Sequence, residues 1–184
     1  RMSLDVSAWD VDFLAFIGYK MLAPTGIGVL YARRSLLESM PAYFGGGNMV
    51  RHVTRDDFET HELPCKFEAG TPPIVQALAL DSATDYLTTL RLDAIADHER
   101  RLTEYAHERL RAVSGLTILG PTPAFKTGIV SFNLAGLDHH VLARQLDAHG
   151  IAVRSGCQCA RPLRRRFGLT GSVRASILRL HNPR

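Results

Sequence analysis

Apolar and amphipathic segments alternate along the 184-residue chain, the pattern of a mixed α/β protein. Short apolar runs predict strands at about 12–16 and 27–32, and a helix over 34–39 that stops before Pro41. Between Gly45-Gly46-Gly47 and Pro64 the pattern turns polar and irregular, fitting either a hairpin or an exposed excursion. Thr71-Pro72-Pro73 then opens a long helix, with Thr71 as the expected N-cap and proline in the first turn. Ile74, Ala77, Leu78, Ala83, Tyr86 and Leu87 are its expected buried face, and a second helix over 93–113 offers Leu102, Tyr105 and Leu110 for packing.

Ser114-Gly115 reads as a domain border, giving units over 1–114 and 115–184. The second unit is a smaller α/β body: strands at 116–119 and 128–134, a helix over 138–149 stopped by Gly150, a strand at 151–154, a cysteine loop, a short helix, and a last strand at 172–178.

Composition changes this picture little: 46% hydrophobic and 22% charged residues describe an ordinary globular chain with a real core. No stretch approaches the roughly 18 apolar residues of a membrane helix, and the first residues lack the apolar core of a signal peptide. The expected setting is the cytoplasm, with no membrane partner. Cys65, Cys157 and Cys159 make no disulfide framework and read as free thiols. Net charge is +4, but the basic groups are dispersed, which argues against a nucleic-acid surface. The dense cluster Arg161 with Arg164-Arg165-Arg166 is expected on the solvated side of a short helix.

Only three of the 22 basic side chains are lysines, Lys20, Lys66 and Lys126. Lys20 ends an apolar run just before Pro24-Thr25-Gly26-Ile27-Gly28, where an amine at a strand end beside open backbone has room to form a Schiff base; the plainer reading is a strand cap pointing into water. In the second unit the loop that carries Cys157 and Cys159 follows a strand, with arginines nearby, the setting of a reactive thiol. Arg174 lies inside an apolar strand and must reach past its edge or pair with an anion, a structural carboxylate or a substrate's. Cys157-Gln158-Cys159 has no second cysteine pair, and His149 and His181 lack ligand spacing, so no metal is expected.

The ordered segments Gly18-Tyr19-Lys20, Pro24-Thr25-Gly26-Ile27-Gly28-Val29-Leu30-Tyr31, Gly45-Gly46-Gly47, Glu68-Ala69-Gly70-Thr71-Pro72, Val153-Arg154-Ser155-Gly156, Cys159-Ala160 and Arg174-Ala175-Ser176 together resemble class V aminotransferase-fold enzymes. Within that fold the chain is similar to group II cysteine desulfurases of the sulfur-mobilising type, close to selenocysteine lyases. The resemblance implies the carboxy-terminal portion of the pyridoxal-phosphate-dependent transferase fold type I: part of the large domain, then a small, truncated carboxy-terminal domain. It implies pyridoxal 5'-phosphate bound covalently by Lys20 with Tyr19 beside it, and Gly70 and Thr71 on the segment through which one subunit of a dimer reaches the cofactor phosphate of the other. Cys159 would be the persulfide-forming cysteine, Arg174 the clamp on the substrate carboxylate, and Arg154 a substrate-binding arginine of the active site beside the cysteine loop. The implied reaction takes sulfur from L-cysteine, or selenium from L-selenocysteine, in a homodimer. A sulfur-acceptor protein and iron–sulfur cluster assembly are its implied context.

The chain departs from that pattern at four places. Ile17 stands for a serine and Tyr19 for a histidine before the lysine, while Cys157 and Gln158 replace two histidines ahead of Cys159. The family's segments preceding the lysine are expected upstream of Arg1, so little turnover is expected from this chain alone. Two alternatives to desulfurase chemistry stay open. One is a catalytically silent homologue that dimerises or binds a sulfur acceptor, and the other a thiol redox or metal module built on Cys157 and Cys159. Selenocysteine lyase and kynureninase-like hydrolase are the enzyme runners-up.

Overall fold

The computed structural model describes residues 3–177, which fall into two compact units, Ser3–Arg91 and the part from Leu92 onward. In the first, β1 (Phe13–Ile17) pairs antiparallel with β2 (Gly28–Ala32), joined through a 3-10 turn at Gly18–Met21. Helix α1 (Arg34–Ser39) follows as expected. The polar stretch is a hairpin, β3 (Val50–Val53) against β4 (Phe58–Thr60), with a bulge between Val50 and His52.

Helix α2 (Ile74–Thr89) begins later than predicted and Thr71 does not cap it; the cap position is Pro73, with no side-chain bond. The reason is local, because a residue before proline is pushed out of helical dihedrals, so helix cannot start until both Pro72 and Pro73 are passed. Its packing also differs: Ala83 and Leu87 are buried, whereas Ile74, Ala77, Leu78 and Tyr86 are exposed. Apolar residues lie all around α2, so composition did not single out one face.

The second unit is a four-stranded antiparallel sheet ordered β5 (Leu116–Leu119), β6 (Ile129–Leu134), β8 (Ser172–Ser176), β7 (Arg154–Gly156). Val130, Phe132 and Val173 form its buried centre; Ala106 and Leu110 of α3 (Leu92–Arg111) and Leu142 and Leu146 of α4 (His139–Asp147) pack against it. Helix α3 therefore belongs to this unit, and the units divide at Arg91–Leu92 rather than at Ser114-Gly115. Its inner face runs through Ile95, Leu102, Thr103 and His107, leaving Tyr105 outside, contrary to expectation.

Asp138 caps α4, its carboxylate accepting from the His140 and Val141 amides at 2.8 and 3.2 Å. Gly150, with φ of +73°, closes the helix as predicted. The strand expected at 151–154 begins only at Arg154, because the Ile151 amide is still bonded to Leu146 at the helix end. The short helix after the cysteine loop is α5 (Arg161–Arg166). Leu178, the expected end of the last strand, and His181 lie outside the described residues.

Candidate active site

Lys20 stands in the turn that leaves β1, where the chain doubles back on itself. The Gly18 amide donates to Ile27 at 3.0 Å and its carbonyl accepts from Ala23 at 3.2 Å. A Cβ on Gly18 would meet Ile27 Cγ2 at 2.8 Å, so only glycine allows the Pro24–Gly28 loop to close over it. Leu22, at φ +71°, completes the reversal. The result is an exposed Lys20 whose Nζ lies 5.9 Å from the Tyr19 ring centroid, with no carboxylate among the described residues paired to it. Ile17 is the last residue of β1 and is exposed.

Gly70 and Thr71 line a cavity of about 340 Å³ together with Gly47, Asn48 and Pro72. The Gly70 amide donates to the Gly47 carbonyl at 2.7 Å, and at both glycines the space a Cβ would take is open. A small cleft bounded by unsubstituted backbone, with the hydroxyl of Thr71 among its lining groups, has room for a phosphate group. Lys20 offers the primary amine that a Schiff base needs. On those two observations the residues present fit pyridoxal phosphate.

The second unit carries the thiol and the arginines. Arg154 and Arg174 are directly opposed across β7 and β8, a like-charge pair that is unfavourable unless something negative sits with it. Arg174 is half-buried and its Nε has no hydrogen-bond partner among the described residues. The arrangement is ready for a carboxylate.

Beyond β7 the loop holds Cys157, whose thiol donates to the Thr170 carbonyl at 3.4 Å, and then Gln158 and Cys159, both left-handed at φ +48° and +62°. Cys159 is exposed and all three cysteines are free. Gln158 faces inward, with Nε2 donating to the Arg154 and Ser172 carbonyls and Oε1 accepting from Arg164 Nη2 at 2.6 Å.

Arg164 overturns an expectation: it is 8% exposed, not on the solvated side of its helix, while Leu163 and Phe167 point outward. Sequence offered no sign of this, since Arg164 sits in a run of identical residues and its acceptor is six positions away. His140 likewise carries no sequence signal; its Nδ1 shares a 2.8 Å hydrogen bond with Ser155 Oγ at the base of the loop. The structure thus groups Tyr19 with Lys20, Gly70 with Thr71, and Arg154 with Arg174. Lys20 belongs to the first unit and Cys159 to the second. Among the described residues no cluster of His, Cys, Asp and Glu is arranged to hold a metal ion, and no helix is long and apolar enough to cross a membrane.

An exposed lysine after a strand, a glycine-bounded cleft and a small antiparallel unit with opposed arginines fit the expectation of a fold type I pyridoxal-phosphate-dependent transferase, the fold of the solved structures this chain resembles. The comparisons agree. Residues 1–183 match the aminotransferase class-V family model, and the chain belongs to that family. It is 47% identical over its full length to a "Probable cysteine desulfurase" of Streptomyces coelicolor, covering 44% of that protein. Its fold is similar to the cysteine desulfurase CsdA of Escherichia coli, with a TM-score of 0.89 at 37% identity over 95% of this chain and 43% of that one. A cysteine desulfurase of Thermococcus onnurineus is similar too, with a TM-score of 0.90 at 38% identity over 94% of this chain and 44% of that one. The chain thus spans somewhat under half the length of these proteins.

Proposed function

We propose that this chain carries the covalent cofactor lysine and the sulfur-accepting cysteine of a pyridoxal-phosphate-dependent cysteine desulfurase. The observation that carries the reading is in the second unit: an exposed thiol, Cys159, in the loop that leaves β7, whose Arg154 opposes the half-buried Arg174 with its unpartnered Nε. Two adjacent guanidinium groups select a carboxylate, and a thiol beyond them selects a substrate with a transferable sulfur. L-cysteine has both, and L-selenocysteine is its nearest substitute.

Pyridoxal phosphate, when bound, supplies an electron sink that makes the substrate's Cα proton labile. Lys20 is the residue that would hold it, with Gly70 and Thr71 receiving the phosphate of a cofactor and Tyr19 flanking the amine. The Lys20 amine would take the Cα proton and deliver a proton back to carbon. Arg154 and Arg174 fix the carboxylate. Cys159, as thiolate, attacks the substrate sulfur: the sulfur–carbon bond breaks, a sulfur–sulfur bond forms, and the carbon keeps the electron pair and is protonated. L-Cysteine becomes L-alanine, and Cys159 carries a persulfide for a sulfur-acceptor protein, with iron–sulfur cluster assembly as one destination.

The working form is a homodimer in the cytoplasm, a reading supported by the exposed apolar side chains of β1, β2 and α2, and by the three free thiols. The test is spectroscopic. The chain mixed with pyridoxal phosphate develops a visible absorbance band that disappears in Lys20→Ala, and mass mapping after L-cysteine finds one added sulfur at Cys159. No lysine-dependent band, or sulfur bound elsewhere than Cys159, would refute the assignment.

A further inference from the structure

The residue before Cys159 has the most fully engaged side chain of the loop. A carboxamide has two donor hydrogens and an oxygen with two lone pairs, and Gln158 uses all four. Nε2 donates to the Arg154 carbonyl at 3.2 Å and the Ser172 carbonyl at 2.9 Å. Oε1 accepts from Arg164 Nη2 at 2.6 Å and Ser172 Oγ at 3.2 Å. The orientation is unambiguous, because turning the amide over would set its NH2 against a guanidinium and its oxygen against two carbonyls.

These partners lie on three elements. Arg154 opens β7, Ser172 opens β8 and is wholly buried, and Arg164 is the buried residue of α5. The side chain is therefore a peg through the place where the loop leaves and rejoins the unit. Non-glycine residues seldom take positive φ, and here two do so in succession, Gln158 at +48° and Cys159 at +62°. The first points its side chain into the unit; the second exposes its thiol.

We propose that Gln158 is the positioning residue of the sulfur-accepting loop: its four hydrogen bonds to β7, β8 and α5 hold the left-handed pair and so display the Cys159 thiol. This rests on Cys159 being the sulfur acceptor. It also accounts for one departure from the histidine pattern, since a carboxamide does not titrate and all its polar atoms are engaged. Residue 158 thus works by holding the loop and not by moving a proton.

The test needs no turnover. In the 184-residue chain, alkylation by iodoacetamide is followed at Cys159 and, as an internal reference, at Cys65 by peptide mass mapping. The 13Cα and 13Cβ shifts of Cys159 report its backbone conformation. Gln158→Leu is expected to take Cys159 out of left-handed shifts and to move its alkylation rate several-fold towards that of the urea-unfolded chain, with Cys65 unchanged and the β6–β8 amides still protected from exchange. Should that variant not fold, Ser172→Ala removes a single bond and is expected to move both readouts in the same direction by less. Left-handed shifts and an unaltered Cys159 rate alongside a lowered unfolding midpoint would overturn the proposal, leaving Gln158 a structural residue only. Failure to find added sulfur on Cys159 would sink the proposed function and leave these two readouts untouched.

Discussion

At the scale of single residues, Arg174 was readable from sequence as a cation that must reach past its strand edge or pair with an anion, and the structure sets Arg154 opposite it, with no carboxylate paired to it among the described residues. Arg174→Lys keeps the charge and loses the planar fork, so we expect it to weaken capture of L-cysteine more than tenfold, by about 1.5–3 kcal/mol. The dissociation constant for L-cysteine rises while the Lys20-dependent absorbance band stays; an unchanged constant counts against a carboxylate clamp. His107 was not readable at all. It is 3% exposed on α3, both ring nitrogens lack partners, and its pKa is lowered chiefly by burial, then by the Lys126 and Arg111 charges. Burial likewise pushes Lys126 down, with Arg111 adding to it. The unfolded chain therefore binds a proton at residue 107 before the folded one does, and stability falls as pH drops below about 6.5 until folded His107 itself titrates. Thermal melts of His107→Phe should lose part of that acid sensitivity, whereas curves parallel to the parent at every pH would exclude the effect.

At the scale of elements, legibility followed the strength of local signals. Helix α4 was found with its stop because Gly150 marks that end by backbone chemistry a sequence displays directly, while the Asp138 cap at its start came from the structure. The His140 amide bond, with that of Val141, holds the Asp138 carboxyl below its usual range over a smaller opposing effect of burial. Its contribution is present above about pH 4 and is lost as pH falls through the lowered pKa, so Asp138→Ala should melt earlier at neutral pH and converge with the parent in acid. The start of α2 failed because two consecutive prolines override a favourable cap residue. The inward face of α5 failed for a different reason: Arg164 is buried to meet Gln158, a tertiary contact that no periodicity encodes. Strands β5, β6 and β8 were legible from the sequence, and β6 shows how much their burial contributes to stability. Phe132 is 5% exposed at the centre of the cluster with Val130 and Val173, so Phe132→Ala should cost about 3–5 kcal/mol in urea unfolding. A cost below about 1 kcal/mol would mean that this cluster is not the unit's core.

At the scale of the whole molecule, the units divide where Arg91 adopts φ of +62° between two helices, a break that carries no glycine or proline to announce it. Ser114-Gly115 looked like a border because it ends a helix, but α3 packs its inner face on the sheet and so folds with β5 and β6. The first unit shows the complementary feature. Its two-stranded β1–β2 ribbon and α2 leave Phe13, Leu30, Ile74, Val75 and Leu78 between 47% and 74% exposed. A lone two-stranded ribbon is at best marginally stable in water, and apolar side chains gathered in this number normally meet another surface. If that surface is a second copy of the chain, sedimentation velocity should show a concentration-dependent species of twice the chain mass. Val75→Glu with Leu78→Glu on α2 should return it to the monomer, because a carboxylate carried into an apolar interface is costly unless paired. A parent chain that sediments as a monomer at every concentration, or a double variant that associates as before, would remove α2 from any dimer contact.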